Sequence, residues 1–261
     1  MSDTDLLQAL STEGVLRLTM NRPEVHNAFD DHQALRLINA LEAAAENPAV
    51  KVVILEGNGK SFSAGGDINY MRRMGTNTYE ENLVDGGQLA KLMKTLNFLP
   101  KPTLCRLQGA AMGGGAGLVC CCDIVIGSPK AKLAFSEIKL GMLPATISPY
   151  VVRTIGEKAS RRLFMTGELV GADWALRLGL ISELVDEDQL DARVDEVAGM
   201  LLKNAPKALG KAKQLAFDVA QGNIDDDMIS STVKCIADVR DSEEGREGLT
   251  AFLEKRAPNW Q

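Results

Sequence analysis

Apolar and polar positions along the chain follow two rhythms that alternate. Val15 to Met20 is strand-like, and Val50 to Leu55 is a β-branched and aliphatic run bounded by Gly57 and Gly59, which predicts a buried strand. Thr103 to Leu107 alternates apolar and polar side chains as a half-buried strand does. Between these runs, Asp31 to Glu46 places Leu35, Ile38 and Leu41 on one helical face before Asn47-Pro48 stops it. A second helical stretch runs from about Tyr79 to Phe98 and ends at Leu99-Pro100, while Ile68 to Met74 and Ala116 to Cys122 predict shorter helices. Strand and helix alternate, so the fold class expected is α/β. From Leu190 onward the rhythm is helical only, through Leu201, Leu209, Leu215, Ile236 and Leu249. Such faces either fold back onto their own core or seek another subunit.

Composition narrows this picture modestly. With 261 residues, 45% hydrophobic and 25% charged, the chain can bury a full core and carry one appended subdomain. Met1 to Leu10 has neither a basic start nor a long apolar core, and no stretch approaches a membrane span, so a cytoplasmic protein with no membrane partner is expected. Five cysteines, three of them adjacent at Cys120 to Cys122, show no metal-ligand spacing and predict small core residues in a reducing compartment. His26 and His32 suggest no catalytic pair, and no metal site is expected. The net charge of −6, the pI of about 5.1 and the lack of a dense Lys/Arg run weigh against nucleic acid as a partner.

The candidate chemistry lies in two glycine-rich turns. Met112-Gly113-Gly114-Gly115-Ala116-Gly117-Leu118 follows a predicted strand and opens a short helix, where unpaired N–H groups and the helix dipole favour negative charge. Ser61-Phe62-Ser63-Ala64-Gly65-Gly66-Asp67 leaves the end of the buried Val50–Leu55 strand, the place where α/β sheets put ligands. Glycine runs also serve tight helix packing, so neither turn alone is decisive.

Taken in order, Asn21-Arg22-Pro23 through Asn27-Ala28, Phe62 to Asp67, Gly113-Gly114-Gly115, Asp123, and Glu137-Ile138-Lys139-Leu140-Gly141 with Pro144 resemble the enoyl-CoA hydratase/isomerase (crotonase) family. The resemblance runs from about Val15 to Phe252-Leu253-Glu254-Lys255-Arg256. Met20 to Asp31 and Phe135 to Tyr150 are most similar to bacterial methylglutaconyl-CoA hydratases and to the related carboxygeranoyl-type hydratases. The resemblance implies a spiral of repeated β-β-α turns over residues 1–195, followed by an α-helical trimerisation region over 196–261, giving a homotrimer or a dimer of trimers. It implies an acyl-CoA substrate, with coenzyme A as part of that substrate and no separate cofactor. The backbone N–H groups of Gly66 and Gly114 would bind the thioester oxygen, and Glu137 would exchange a proton with the acyl carbons. Ala64, Asp67, Ile68 and Arg22 would lie along the coenzyme A path, Arg22 at a phosphate-facing mouth. Lys255 would reach coenzyme A from a neighbouring subunit. Residue by residue, simpler explanations stand beside these: Glu137 as a strand-end carboxylate paired with Lys139, and Lys255 as a solvated cation at a helix end.

Gly117 departs from the pattern. Hydratases with two acids carry a glutamate there that helps hold water, and this chain has no side chain at all. Three activities stay open: a hydratase with one glutamate, an isomerase that moves one proton within the substrate, or another reaction through the same enolate. Hydration of a methylglutaconyl-type thioester is the activity the flanking residues favour. Arg72, Arg73 and Arg153 are candidates to meet a distal carboxylate or are plain surface arginines. A non-catalytic acyl-CoA-binding or RNA-binding protein is the alternative from another class.

Overall fold

The computed structural model describes residues 4–220 and 222–261. The first three positions of the Met1–Leu10 stretch, and of the 1–195 unit, lie outside the described residues. The chain opens with β1 (Leu6–Leu10) and β2 (Val15–Met20), then α1 (Asp31–Glu46), β3 (Val52–Gly57), α2 (Ile68–Met74), α3 (Tyr79–Asn97), β4 (Thr103–Leu107), β5 (Ala110–Met112) and α4 (Gly114–Cys121). It continues through β6 (Ile124–Gly127), β7 (Lys132–Ala134), α5 (Ser148–Thr166), β8 (Val170–Gly171), α6 (Ala172–Leu178) and β9 (Glu183–Leu184). Four helices close it: α7 (Leu190–Leu202), α8 (Pro206–Val219), α9 (Asp226–Asp241) and α10 (Glu243–Glu254).

One sheet has the order β1-β2-β3-β4-β6-β9, with β1 antiparallel to β2 and every other neighbour parallel. A smaller sheet has the order β5-β7-β8. Successive turns therefore step from the large sheet to the small one and back through a helix, as β4-β5-α4 and β6-β7-α5. The first two turns have no second strand, only parallel single-residue bridges, Phe29 to Gly66 and Ser63 to Ala111, that extend the small layer. This is the expected β-β-α spiral.

The large sheet is buried on both faces, which explains why β3 is apolar at consecutive positions. Val53 and Leu55 join the main core with α1, α3 and α4, while Val52 and Ile54 meet Leu190, Val194 and Ala198 of α7. The same double cover corrects the half-buried expectation for Thr103–Leu107: all but Arg106 are buried, and Thr103 satisfies its hydroxyl on Asp123 at 2.9 Å. Leu35, expected on the core face of α1, is 48% exposed. The buried face is set by Ala34, Leu37, Ile38 and Leu41. The division expected between 195 and 196 falls inside α7, whose Val194 and Ala198 are both buried on the sheet, so the break in packing comes after it. Beyond that point α8 and α9 bury no residue fully, and α10 buries only Ala251. Cys105 and Cys121 are core residues, and Cys120 and Cys122 are partly covered. No helix among the described residues is long and apolar enough to cross a membrane.

Candidate active site

The small layer builds the site. Phe29 donates its N–H to the Gly65 carbonyl at 2.6 Å and accepts from the Asp67 N–H at 2.7 Å. It thus bonds the residues on either side of Gly66, so the Gly66 N–H takes no part and is directed to the opposite side. Ser63 is stitched to the next turn in the same way, donating to Ala110 and accepting from Met112. Ala64 N–H donates to the His26 carbonyl at 3.0 Å, which fixes the start of the loop.

The second donor comes from the helix that the glycine run opens. Gly113, at φ 51°, turns the chain sharply out of β5, and its N–H reaches the Ala134 carbonyl at the end of β7. Gly114 is the first residue of α4, so its N–H has no acceptor four residues back. The bond to Ala134 also brings Gly113 beside Glu137: a Cβ on Gly113 would lie 3.2 Å from Glu137 Oε1. Gly66, Gly114, Glu137 and Ala64 all line one cleft of about 240 Å³, whose remaining wall includes Phe29, Leu89, Met112 and Met142.

Glu137 opens a short 3-10 turn after β7. Its Oε2 is buried with no hydrogen-bond partner. Burial pushes its carboxyl above the usual glutamate range, only partly offset by its own backbone N–H. It makes no ion pair with Lys139, whose side chain instead lies against Gly167. A partly desolvated carboxyl with a raised pKa, on the same cleft as two unpaired N–H groups, is an arrangement for moving a proton next to a developing oxyanion.

Arg22 does something other than face a phosphate. Its guanidinium bonds Asp30 and Asp67, each at 2.9 Å, and the Ala28 carbonyl at 3.1 Å. Asp30 caps α1 through the Gln33 N–H, and Asp67 caps α2 through the Asn69 and Tyr70 N–H groups. Burial alone would raise the Asp67 pKa, but those two N–H groups and Arg22 outweigh it and hold the carboxyl below the usual range. Arg22 is therefore a clamp that ties two helix N-termini around the Gly66 loop. Asp67 belongs to the clamp and does not line the cleft; Ile68 is 65% exposed beyond it. Lys255 caps α10 in a left-handed conformation, exposed and apart from the cleft lining of its own chain.

The missing acid at Gly117 has a steric counterpart. A Cβ on Gly117 would stand 2.4 Å from Ile147 Cγ2 and 3.2 Å from Met93 Sδ. Ile147 occupies the space a side chain would need, and Gly117 does not line the cleft. We expect Gly117→Glu to lose about 1–3 kcal/mol from overpacking, with a further cost for the buried carboxylate, and to gain no activity. Thermal unfolding and a turnover assay check this; a stable, faster variant would contradict it.

Sequence reasoning missed several cleft residues. Tyr70 on α2 and Asp85 on α3 both line it, and the Tyr70 hydroxyl donates to Asp85. Burial, then the Asp85 bond, push the Tyr70 pKa up. Asp31 pairs with Arg73 at 2.7 Å, and Gln88 donates to the Asp31 carbonyl oxygen at 2.5 Å. These residues come from three helices, so no local spacing announces them. Among the described residues no group of His, Cys, Asp and Glu is arranged to hold a metal ion.

Comparison with known proteins bears on this arrangement. A family model described as enoyl-CoA hydratase/isomerase matches residues 11–261. A solved Legionella pneumophila structure assigned to the enoyl-CoA hydratase/isomerase (crotonase) group is 46% identical, with a TM-score of 0.95 over 100% of both chains. A crotonyl-CoA hydratase of Syntrophomonas wolfei is 32% identical over 93% of each chain. A 2,3-dehydroadipyl-CoA hydratase of Escherichia coli is 30% identical over 95% of each.

Proposed function

The chain belongs to the enoyl-CoA hydratase/isomerase family, and from that premise we propose that it is a hydro-lyase adding water to an α,β-unsaturated acyl-CoA. The observation that carries this reading is the meeting of two unpaired N–H groups, Gly66 and Gly114, with the desolvated Glu137 carboxyl on one cleft. The thioester carbonyl would accept both N–H groups. Electron density then moves onto that oxygen as an enolate forms, and Glu137 supplies the α-carbon with its proton. Relatives named as hydratases of crotonyl-CoA and 2,3-dehydroadipyl-CoA support this chemistry. The reaction as written uses no cofactor beyond the coenzyme A carried by the substrate.

For the acyl group we keep the methylglutaconyl type. Its support is the resemblance around Met20–Asp31 and Phe135–Tyr150, the dicarboxylic substrate in the E. coli relative's name, and Arg73. Arg73 does not line the cleft itself but lies 5.6 Å from the centre of the ring of Tyr70 and pairs with Asp31, two residues that do, and on this reading it leaves Asp31 for a substrate carboxylate. The carboxylates of Asp31 and Asp85 oppose an anionic tail, so the comparison is sharp. Loss of absorbance of the conjugated thioester is to be followed with crotonyl-, glutaconyl- and methylglutaconyl-CoA. The glutaconyl forms are expected to react more efficiently than crotonyl-CoA, and Arg73→Ala to erase the difference. Equal efficiency in the wild type would remove the dicarboxylic reading. Conversion of a 3-enoyl thioester into the conjugated one, with no hydration of any substrate, would make the chain an isomerase.

The tail is proposed to join subunits in a trimer or a pair of trimers. Val233 at 60% exposure and Phe252 at 80% leave apolar faces without cover in a single chain. The cytoplasm, where free thiols persist, is the compartment this reading implies.

A further inference from the structure

If the chain hydrates its substrate, the attacking water must lose a proton, and the acid that does this in two-glutamate hydratases has no room at Gly117. Besides Glu137, the carboxylates lining the cleft are Asp30, Asp31 and Asp85. Asp30 is committed to Arg22 and to the α1 cap, and Asp31 pairs with Arg73 at 2.7 Å. Asp85 differs. Its partner among the described residues is the Tyr70 hydroxyl, which bonds Oδ1, and it forms no ion pair. A carboxylate that accepts one hydroxyl keeps lone pairs for a second donor, so Asp85 can take a hydrogen bond from a water in the cleft. It also sits on α3, whose Gln88 one turn later is anchored to the start of α1, so its wall of the cleft is held in place.

We propose that Asp85, oriented by Tyr70, accepts the proton of the attacking water and so takes the part that Gly117 leaves unfilled. The proposal rests on the hydratase reading above. The water oxygen bonds the β-carbon, the π electrons of the double bond pass to the thioester oxygen held by Gly66 and Gly114, and the water's proton goes to Asp85. Glu137 then gives its proton to the α-carbon as the enolate collapses. The carboxyl of Asp85 and the carboxylate of Glu137 return to their starting states by exchange with solvent. One HO group and one proton are added, and nothing is oxidised or reduced.

The test separates water addition from proton exchange at the α-carbon. In D₂O, the oxyanion donors and Glu137 suffice to exchange the α-proton of butanoyl-CoA, a saturated thioester that cannot be hydrated. Asp85→Asn keeps the size of the side chain and is expected to lower kcat for hydration of crotonyl- and glutaconyl-CoA by about 10²-fold or more, with KM for crotonyl-CoA and the butanoyl-CoA exchange rate near wild type. Tyr70→Phe should lower hydration by a smaller factor and also spare exchange. Hydration by Asp85→Asn at the wild-type rate would overturn the proposal. So would equal losses of hydration and exchange, which would give Asp85 a purely structural part. A wild-type chain that exchanges and isomerises but hydrates nothing would instead bring down the hydratase reading itself.

Discussion

Gly114→Val is expected to abolish measurable turnover while leaving the protein folded. A side chain cannot delete a backbone N–H, so the donor has to be tested by bulk. The geometry is favourable for this: a Cβ at position 114 would make ordinary contacts, 3.6 Å to Phe29 and 3.8 Å to Leu89, so the fold accepts the first added carbon. The two methyls beyond it would enter the cleft where the thioester oxygen must approach the N–H. Loss of one oxyanion donor costs roughly 2.7–4 kcal/mol of transition-state stabilisation, or about 10²–10³ in rate. The check is kcat/KM alongside the melting temperature. Normal turnover would show that the thioester oxygen lies elsewhere.

Glu137→Gln should reduce turnover by about 10²–10⁴-fold, the range for a positioned general acid or base. The substitution keeps the shape and removes the titration. Stability should move the other way. Burial raises the folded-state pKa of Glu137, so the folded protein binds this proton more tightly than the unfolded chain. Below the ordinary glutamate range the buried neutral carboxyl carries no penalty; as pH rises through the elevated folded pKa, stability is lost. At neutral pH the glutamine variant is therefore expected to melt no lower than wild type, and at acidic pH the two should converge. A fully active variant would refute the role assigned to Glu137. A variant that melts well below wild type would show that the carboxyl supports the fold.

The alternation of strand and helix, the extents of α1, α2 and α3, and the all-helical tail were legible because each depends on local periodicity and on stop signals such as Asn47-Pro48. That Gly66, Gly114 and Glu137 meet on one cleft was legible only from the set of motifs taken in order. Burial of β4 on both faces was not, since the cover comes from α7, more than eighty residues downstream. Arg22 shows the same limit. Next to Pro23 it looks free to meet a phosphate, yet its two carboxylate partners arrive from Asp30 and from Asp67, forty-five residues on. Tyr70 and Asp85 were invisible for the matching reason: each is an ordinary helical residue until α2 and α3 are folded against the same cleft.

The packing of Ile147 against Gly117 also limits where descendants of this chain can go. A glutamate at 117 collides with Ile147, and a smaller residue at 147 beside Gly117 opens a hole in the core. Each single change is harmful, and only the pair together could restore a second acid. A second acid at this position is thus separated from the present packing by two coupled changes, so single substitutions that improve water handling have to act elsewhere in the cleft.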